Sequence, residues 1–219
     1  MERRRRRIDE STEKLLETIC SHARDFYRQG WLMGTSGNFS VSADPDGSAD
    51  QEAGLWITRS GRHKAELSPR DFVLVDAEGR PRDESSQRPS SDTAIHTYLH
   101  GRLAEIGAVY HIHNIDATIC SEHDRERGAT RIQGIEQLRG FGLPDADVRL
   151  EIPILENEPT PEAQAERIEA WIESDKFDSR VPGVNVHRHG LYVWGADPGE
   201  ARRHVETFAY LYAYLSRLD

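Results

Sequence analysis

Strand-like segments alternate with helical segments along almost the whole chain, and this order restricts the fold more than any other feature of the sequence. The stretches NFSVSA and LWITRS alternate apolar and polar residues across a long acidic loop, and DFVLVDAEGR follows as a third strand. Apolar residues recur at helical spacing over 15–27 and again over 205–215. Because hairpins occur together with helices, this order favours a single-domain α/β fold with a mixed sheet between helical layers.

Cap and turn residues mark the remaining elements. Ser11 and Gly30 are expected to bound the first helix, and Asp197, followed by Pro198, is expected to start the last one. The other expected elements are a helix from Ser90 or Ser91 to about His100, the strand IGAVYHIH, a helix over 117–123, the strand RLEIPIL, a helix begun by Thr160, and two short strands that meet at Gly190.

The length and charge of the chain limit its partners. Its 219 residues suit one domain, expected over 11–219 after a disordered arm at 1–10 that holds five consecutive arginines. A formal net charge of −10 disfavours nucleic acid and anionic membranes, so any bound phosphate needs a local site. Since no run of about 18 apolar residues occurs, the sequence predicts a cytoplasmic protein with no membrane partner.

Three histidines form the clearest candidate metal site. His111 and His113 are two apart in a strand, so their side chains leave the same face and can converge on one ion. A catalytic zinc usually has three protein ligands and one open position. His189, beside Gly190, is the third candidate, and His187 in the same segment competes with it. His96 and His100 lie nearer this region than the other histidines.

Three short loops have the composition of oxyanion sites. GTSGNFS at 34–40 and TRSGRHK at 58–64 combine small hydroxyl residues with glycines, and the second adds the cation Lys64. RPSSDT at 88–93 places two serines where a helix begins, and helix N-termini bind phosphate. No nucleotide fingerprint accompanies them, so the loops favour a small phosphorylated substrate.

Together these motifs resemble the class II (zinc-dependent) aldolase family, which has G-T-S-G-N-x-S, S-G, P-S-S-[acid], H-x-H and a late H-G in this order. The match covers the chain from about residue 11 to 217. The resemblance implies a three-layer α/β/α sandwich with a mixed, largely antiparallel central sheet. It also implies one Zn2+ per subunit, and a homotetramer with sites near the subunit interfaces. The implied zinc ligands are His111, His113 and His189.

The same resemblance assigns roles to further residues. At Asp92 the aldolases carry a Glu that serves as acid/base, and the shorter Asp fits either a second acid/base role or a helix-capping role. The positions implied to bind the substrate phosphate are Thr35, Gly37, Asn38, Ser60, Gly61, Ser90 and Ser91, to which the sequence adds Lys64.

One dehydratase branch of the family is more similar still, through SGRHKAEL, GIEQLRG, IPILEN and RHGLYVWG. It implies removal of water from a phosphorylated methylthio-ketose in methionine salvage, with Glu136 as the catalytic acid/base. Gln137 departs from the branch, which more often has Met there, and by residue type alone Glu136 would be a solvated helix residue.

Two other functions remain open at the level of sequence. The alternative enzyme is a class II sugar-phosphate aldolase or 4-epimerase that uses the same zinc site. A non-catalytic interaction module, as in cytoskeletal proteins that share the fold, would not need three ligand-type histidines and three anion-binding loops.

Overall fold

The computed structural model describes residues 8–44, 54–82, 87–103, 105–144 and 147–218. The arginines at 3–7 and most of the acidic loop after the first strand lie outside these ranges. The helices are α1 (Glu10–Arg28), α2 (Thr93–Arg102), α3 (Ile115–His123), α4 (Pro161–Ile172) and α5 (Pro198–Leu215). The strands are β1 (Asn38–Ser42), β2 (Gly54–Thr58), β3 (Phe72–Asp76), β4 (Ala108–Ile112), β5 (Ala129–Ile132), β6 (Leu150–Leu155), β7 (Gly183–Val186) and β8 (Gly190–Gly195).

All eight strands form one sheet in the order β3-β2-β1-β4-β8-β7-β6-β5. The pair β6–β7 is parallel, and the other six neighbouring pairs are antiparallel. The expected hairpin of β1 and β2 is confirmed, with Val41 opposite Trp56. β5 was not predicted from the sequence, since it has only four residues and lies at the edge of the sheet.

Helices cover both faces of the sheet. Residues of α1, α3 and α5 form one core with Tyr110 and Ile112 of β4. Residues of α2 and α4 form a second core on the other face, with Val109 of β4 and Tyr192 of β8. The three-layer α/β/α sandwich with a mixed, largely antiparallel sheet is therefore confirmed. None of the helices in the described ranges is long and apolar enough to cross a membrane.

The capping residues explain where the helices begin. Thr160 and Asp197 cap α4 and α5 as expected, each accepting a hydrogen bond from a backbone N–H of the first turn. The start of α1 differs from the prediction, because Asp9 rather than Ser11 is the cap. Its carboxylate accepts from the backbone N–H of Thr12 at 2.8 Å. Helix and cap thus begin before residue 11, inside the segment assigned to the arm.

Candidate active site

Strand β4 delivers the first two histidines at its C-terminal end. Alternation along the strand places Tyr110 and Ile112 in one core, so that Val109 and His111 face the other side of the sheet. His113 follows directly after the last residue of the strand. His111 is buried and lies between its cross-strand neighbours, Asn38 of β1 and Tyr192 of β8.

The third histidine comes from the turn between β7 and β8. The backbone N–H of His189 donates to the carbonyl of Val186 at 3.0 Å, which closes the turn. Gly190 then passes so close to β4 that a Cβ there would lie 2.3 Å from the carbonyl oxygen of Ile112. Only glycine permits this approach, and the approach brings His189 beside His113.

The three imidazoles form a nearly equilateral triangle. The ring centroids of His111, His113 and His189 are 4.8, 4.9 and 4.9 Å apart, and the rings are steeply inclined to one another. One ligand-type nitrogen of each residue lies within 4.8 Å of the other two. Among the residues that the structure describes, this is the one group of three such donors close enough for a metal ion.

The protonation of the cluster suits a metal. Burial lowers the pKa of His111 well below its usual range, and it lowers that of His113 to about 4. Burial also lowers the pKa of His189. At neutral pH all three rings are therefore uncharged and carry a free nitrogen lone pair, as metal ligation requires.

Two atomic details indicate where a cation fits. Nδ1 of His111 lies 3.0 Å from the carbonyl oxygen of Leu191, so Nδ1 carries the proton and Nε2 carries the lone pair. Nε2 of His111 and Nε2 of His113 face each other at 2.9 Å. Nδ1 of His189 is buried without a hydrogen-bond partner in the described structure. Such a donor set fits zinc and also accepts several other divalent metals.

His187 does not join the cluster. Its Nε2 lies 2.7 Å from Oε2 of Glu122, at the end of α3. The same carboxylate accepts two hydrogen bonds from the guanidinium of Arg188, which has a left-handed backbone with φ of 54°. Glu122 therefore holds the two residues that precede His189 and helps to fix the turn.

The three anion-type loops meet next to the histidines. Two backbone hydrogen bonds of 3.0 Å, from Ser60 to Arg88 and from Ser90 to Thr58, join the second loop to the third. The first loop leads into β1, whose Asn38 pairs with His111. Its backbone is left-handed at Gly34, Thr35 and Gly37, with φ of 64°, 67° and 74°. Turns of this kind expose consecutive backbone N–H groups, which suits an anion.

Lys64 connects the first loop to the second from inside the protein. Its buried ammonium donates to the carbonyl oxygens of Thr35, at 2.8 Å, and Arg62, at 2.9 Å. Burial lowers its pKa to about 8, although Asp92 opposes the shift. The positive charge thus lies between the loops and close enough to the site to interact with Asp92.

Asp92 faces the histidine cluster instead of capping α2. It stands at the N-cap position, but its side chain makes no capping hydrogen bond. Oδ2 accepts from Nδ2 of Asn38 at 2.7 Å and from the hydroxyl of Tyr192 at 3.1 Å, and it lies 3.8 Å from Nε2 of His111. Burial alone would raise the pKa of Asp92, but the hydrogen bonds donated by Asn38 and Tyr192 favour the carboxylate and lower the pKa.

Sequence reasoning did not identify Tyr192 and assigned Asn38 to the substrate phosphate. Both ends of the Asn38 amide are engaged inside the protein, by Asp92 and by His96. The available signal for Tyr192 was its position three residues after His189, on the strand that begins at Gly190.

The two serines of the third loop differ in exposure. Ser91 is exposed, while Ser90 is buried and its hydroxyl accepts from the backbone N–H of Asp92 at 3.3 Å.

Within one chain, Glu136 pairs with a residue of its own helix and not with the histidine cluster. It begins the 3-10 helix Glu136–Phe141, which packs on α5 through Phe141 and Phe208. Its side chain is 73% exposed and forms an ion pair with Arg139 at 2.6 Å. In the described part of the chain, none of the three clustered histidines contacts it through a hydrogen bond or ion pair.

Comparison with known proteins gives a family and several close relatives. Residues 17–215 match the family described as Class II Aldolase and Adducin N-terminal domain. A methylthioribulose-1-phosphate dehydratase of Xanthomonas campestris pv. campestris is 34% identical over 90% of this chain and 86% of its own length. One of Pseudomonas aeruginosa is 32% identical over 94% and 95%.

Solved structures share the fold at lower identity. The l-fuculose-1-phosphate aldolase from Thermus thermophilus is 22% identical with a TM-score of 0.69, and it covers 93% of this chain and 94% of its own. A sugar-phosphate aldolase from Thermotoga maritima is 18% identical with a TM-score of 0.70, over 95% and 96%. A family match over nearly the whole chain, relatives of this identity and the shared sandwich lead to one conclusion: the chain belongs to the class II aldolase and adducin N-terminal domain family.

Proposed function

We propose that this protein is a metal-dependent hydro-lyase that removes water from 5-methylthioribulose 1-phosphate and forms 2,3-diketo-5-methylthiopentyl 1-phosphate in methionine salvage. Relatives at 32–34% identity over most of the chain carry the name of this dehydratase. The observation that carries the proposal is the triangle of three neutral histidines beside three anion-type loops, because it supplies both a metal site and a phosphate site.

The metal in this proposal is zinc, one per subunit, held by His111, His113 and His189. When bound, it supplies Lewis-acid chemistry, which polarises a carbonyl oxygen and makes the adjacent C–H more acidic. The buried, uncharged imidazoles and the partnerless Nδ1 of His189 support this assignment.

The loops bind the substrate phosphate in this proposal. Backbone N–H groups of the left-handed first loop and the nearby charge of Lys64 favour an anion. Because the Asn38 side chain is already engaged, its contribution to phosphate binding would come from the backbone. The proposed phosphate-binding residues are Thr35, Gly37, Asn38, Ser60, Gly61, Lys64, Ser90 and Ser91.

Glu136 acts as the acid/base in the proposed reaction. Its carboxylate takes the proton from C3 of the ketose and delivers it to the C4 hydroxyl, which leaves as water. The resulting enol becomes the 2,3-diketone by tautomerisation, and no redox cofactor is needed. Since Glu136 is exposed and paired with Arg139 within its own chain, we infer that it serves the site of a neighbouring subunit in a homotetramer.

A class II sugar-phosphate aldolase or 4-epimerase is the second candidate. Asp92 favours it, because this carboxylate lies beside the cluster where an aldolase of the family carries its acid/base. An aldolase would break C3–C4 after deprotonating the C4 hydroxyl, instead of releasing water.

Incubation of the zinc-loaded protein with 5-methylthioribulose 1-phosphate, followed by proton NMR and mass spectrometry, tests the proposal. We expect the loss of one water, the appearance of the diketone and loss of activity under chelation. An untouched substrate, together with cleavage of another ketose phosphate to a triose phosphate, would replace the dehydratase by the aldolase.

A further inference from the structure

A buried line of hydrogen bonds runs from the histidine cluster into the α2 layer. Asp92 is joined to Nδ2 of Asn38 at 2.7 Å, and Oδ1 of Asn38 is joined to Nε2 of His96 at 2.5 Å. Nδ1 of His96 lies 2.7 Å from the hydroxyl of Ser40, which lies 2.9 Å from Nε2 of His100. The line connects β1 with α2 behind the carboxylate of Asp92.

The proton donors along this line can be assigned from its charged end. A carboxylate only accepts, so the NH2 group of Asn38 must face Asp92 and its oxygen must face His96. Nε2 of His96 therefore donates. Burial lowers the pKa of His96 to about 3, so the ring is neutral and its Nδ1 accepts from the Ser40 hydroxyl.

The line is shielded from water at its centre. His96 and Ser40 are both 0% exposed, and Asn38 is 6% exposed. A hydrogen bond in such surroundings has no competing solvent, and the loss of one partner leaves the other unsatisfied. The orientation of Asn38 thus depends on His96, and the position of the Asp92 carboxylate depends on Asn38.

We propose that His96 is a positioning residue, which orients the Asn38 amide from behind so that Asp92 is held against the histidine cluster. This inference rests on the proposed metal-dependent function. In the described structure, His96 contacts none of the three clustered histidines through a hydrogen bond, and it meets the first loop only at the side chains of Asn38 and Ser40. It acts by limiting the positions of a negative charge that lies 3.8 Å from Nε2 of His111. A negative charge at this distance favours a divalent cation at the cluster.

Two conservative variants of His96 separate this role from simple packing. The amide nitrogen of Gln can occupy the place of Nε2 and keep the donor to Asn38, whereas Asn can replace only the Nδ1 side. We expect His96→Asn to lower kcat about 10- to 100-fold with a smaller change in KM, as for residues that orient metal ligands. His96→Gln should retain most of the wild-type kcat. Equal losses in the two variants would assign His96 a packing role only.

A double-mutant cycle shows whether His96 acts through Asp92. Asp92→Asn and His96→Asn should each weaken zinc binding, measured by competition with a chromophoric chelator, and the double variant should lose little more than Asp92→Asn alone. If the fold-losses in zinc affinity of the two single variants multiply in the double variant, His96 and Asp92 act independently, and the proposal is overturned. His204→Asn is the matched control, since His204 is buried and its Nδ1 lies 2.7 Å from the carbonyl oxygen of Trp194, outside the line.

Zinc affinity also keeps the two proposals separate. If the wild-type protein turned over no 5-methylthioribulose 1-phosphate, the dehydratase function would fail, and the zinc-binding cycle would still test His96. If the protein is active but His96→Asn binds zinc and turns over substrate like the wild type, the positioning role fails and the function stands.

Discussion

Tyr192 lies flat against the imidazole of His111, with ring centroids 4.0 Å apart and an angle of 8° between the rings. The two residues are directly opposite on β8 and β4, and neither is more than 1% exposed. The stack fixes the plane of the imidazole, while the carbonyl oxygen of Leu191 fixes its rotation. The direction of the Nε2 lone pair is therefore set before any metal binds.

Tyr192 should contribute to stability through its ring and to the site through its hydroxyl. Tyr192→Phe keeps the stack and loses the hydrogen bond to Asp92, so we expect normal zinc content with a several-fold lower kcat. Tyr192→Ala should lower the free energy of unfolding by about 3–5 kcal/mol, as for other buried aromatic residues. Urea unfolding and steady-state kinetics check the two effects, and an equal kcat for Phe and Tyr would remove the hydroxyl from the mechanism.

The assignment of the metal ligands predicts a clear contrast between neighbouring histidines. His113→Ala and His189→Ala should each lose most of the bound metal and nearly all activity, because two ligands hold zinc poorly. His187→Gln should keep its metal, since His187 binds Glu122. Metal analysis of the purified variants decides the matter, and a metal-free His187→Gln protein would contradict the assignment.

The role of Glu136 can be tested within the assembled protein. Glu136→Gln should nearly abolish dehydration and leave zinc content intact, because the amide cannot carry the proton. Arg139→Gln, which removes the ion pair at 2.6 Å, is the control and should stay active. Turnover by Glu136→Gln at the wild-type rate would exclude the residue.

A mixture of inactive subunits tests whether the site is shared. If Glu136 serves a neighbouring subunit, then Glu136→Gln and His189→Ala chains, expressed together, should form some sites with both native residues and regain part of the activity. Activity no greater than that of the separate variants would place Glu136 and the histidines in the same chain.

Gly190 should be required for the assembly of the metal site. A Cβ at this position would lie 2.3 Å from the carbonyl oxygen of Ile112 and 3.2 Å from Cα of His113, so Gly190→Ala must push the turn away from β4. We expect weaker zinc binding and a loss of about 1–3 kcal/mol of stability. Gly101→Ala is the control, because nothing lies within 4 Å of the added Cβ. It should be neutral or stabilise α2 by up to about 1 kcal/mol.

Buried histidines should make the metal-free protein sensitive to acid. Burial lowers the pKa of His22 from 6.5 to about 4, and Nδ1 of this ring lies 2.9 Å from the Tyr110 hydroxyl. Between these two pH values the unfolded chain binds a proton that the folded protein does not. The contribution of His22 to the free energy of unfolding is therefore complete above about pH 6.5 and is lost as the pH is lowered towards 4.

Urea unfolding of the metal-free protein at pH 7.5 and pH 5 measures this effect. His22→Asn can keep a partner for the Tyr110 hydroxyl without titrating, so it should lose less stability than the wild type over the same interval. An identical loss in both proteins would show that His22 does not contribute.

Much of the fold could be predicted because its signals are local. The capping residues Thr160 and Asp197 act within one turn of the helices they start, and the alternation in β4 reports directly which residues share a face. The H-x-H pattern and the glycine after His189 likewise depend on neighbours in sequence. The start of α1 was misplaced because Asp9 and Ser11 are both good caps, and only the observed hydrogen bonds distinguish them.

The sequence by itself therefore determined the elements of the sandwich, except the edge strand β5, and the residue types that can bind a metal and a phosphate. The tertiary structure alone decided that His189 and not His187 joins His111, that Asp92 turns away from its helix, and that Asn38 is oriented by His96. The physical reason is that these choices depend on the register between β1, β4 and β8. That register results from packing and cross-strand pairing between distant parts of the chain, which no local pattern encodes.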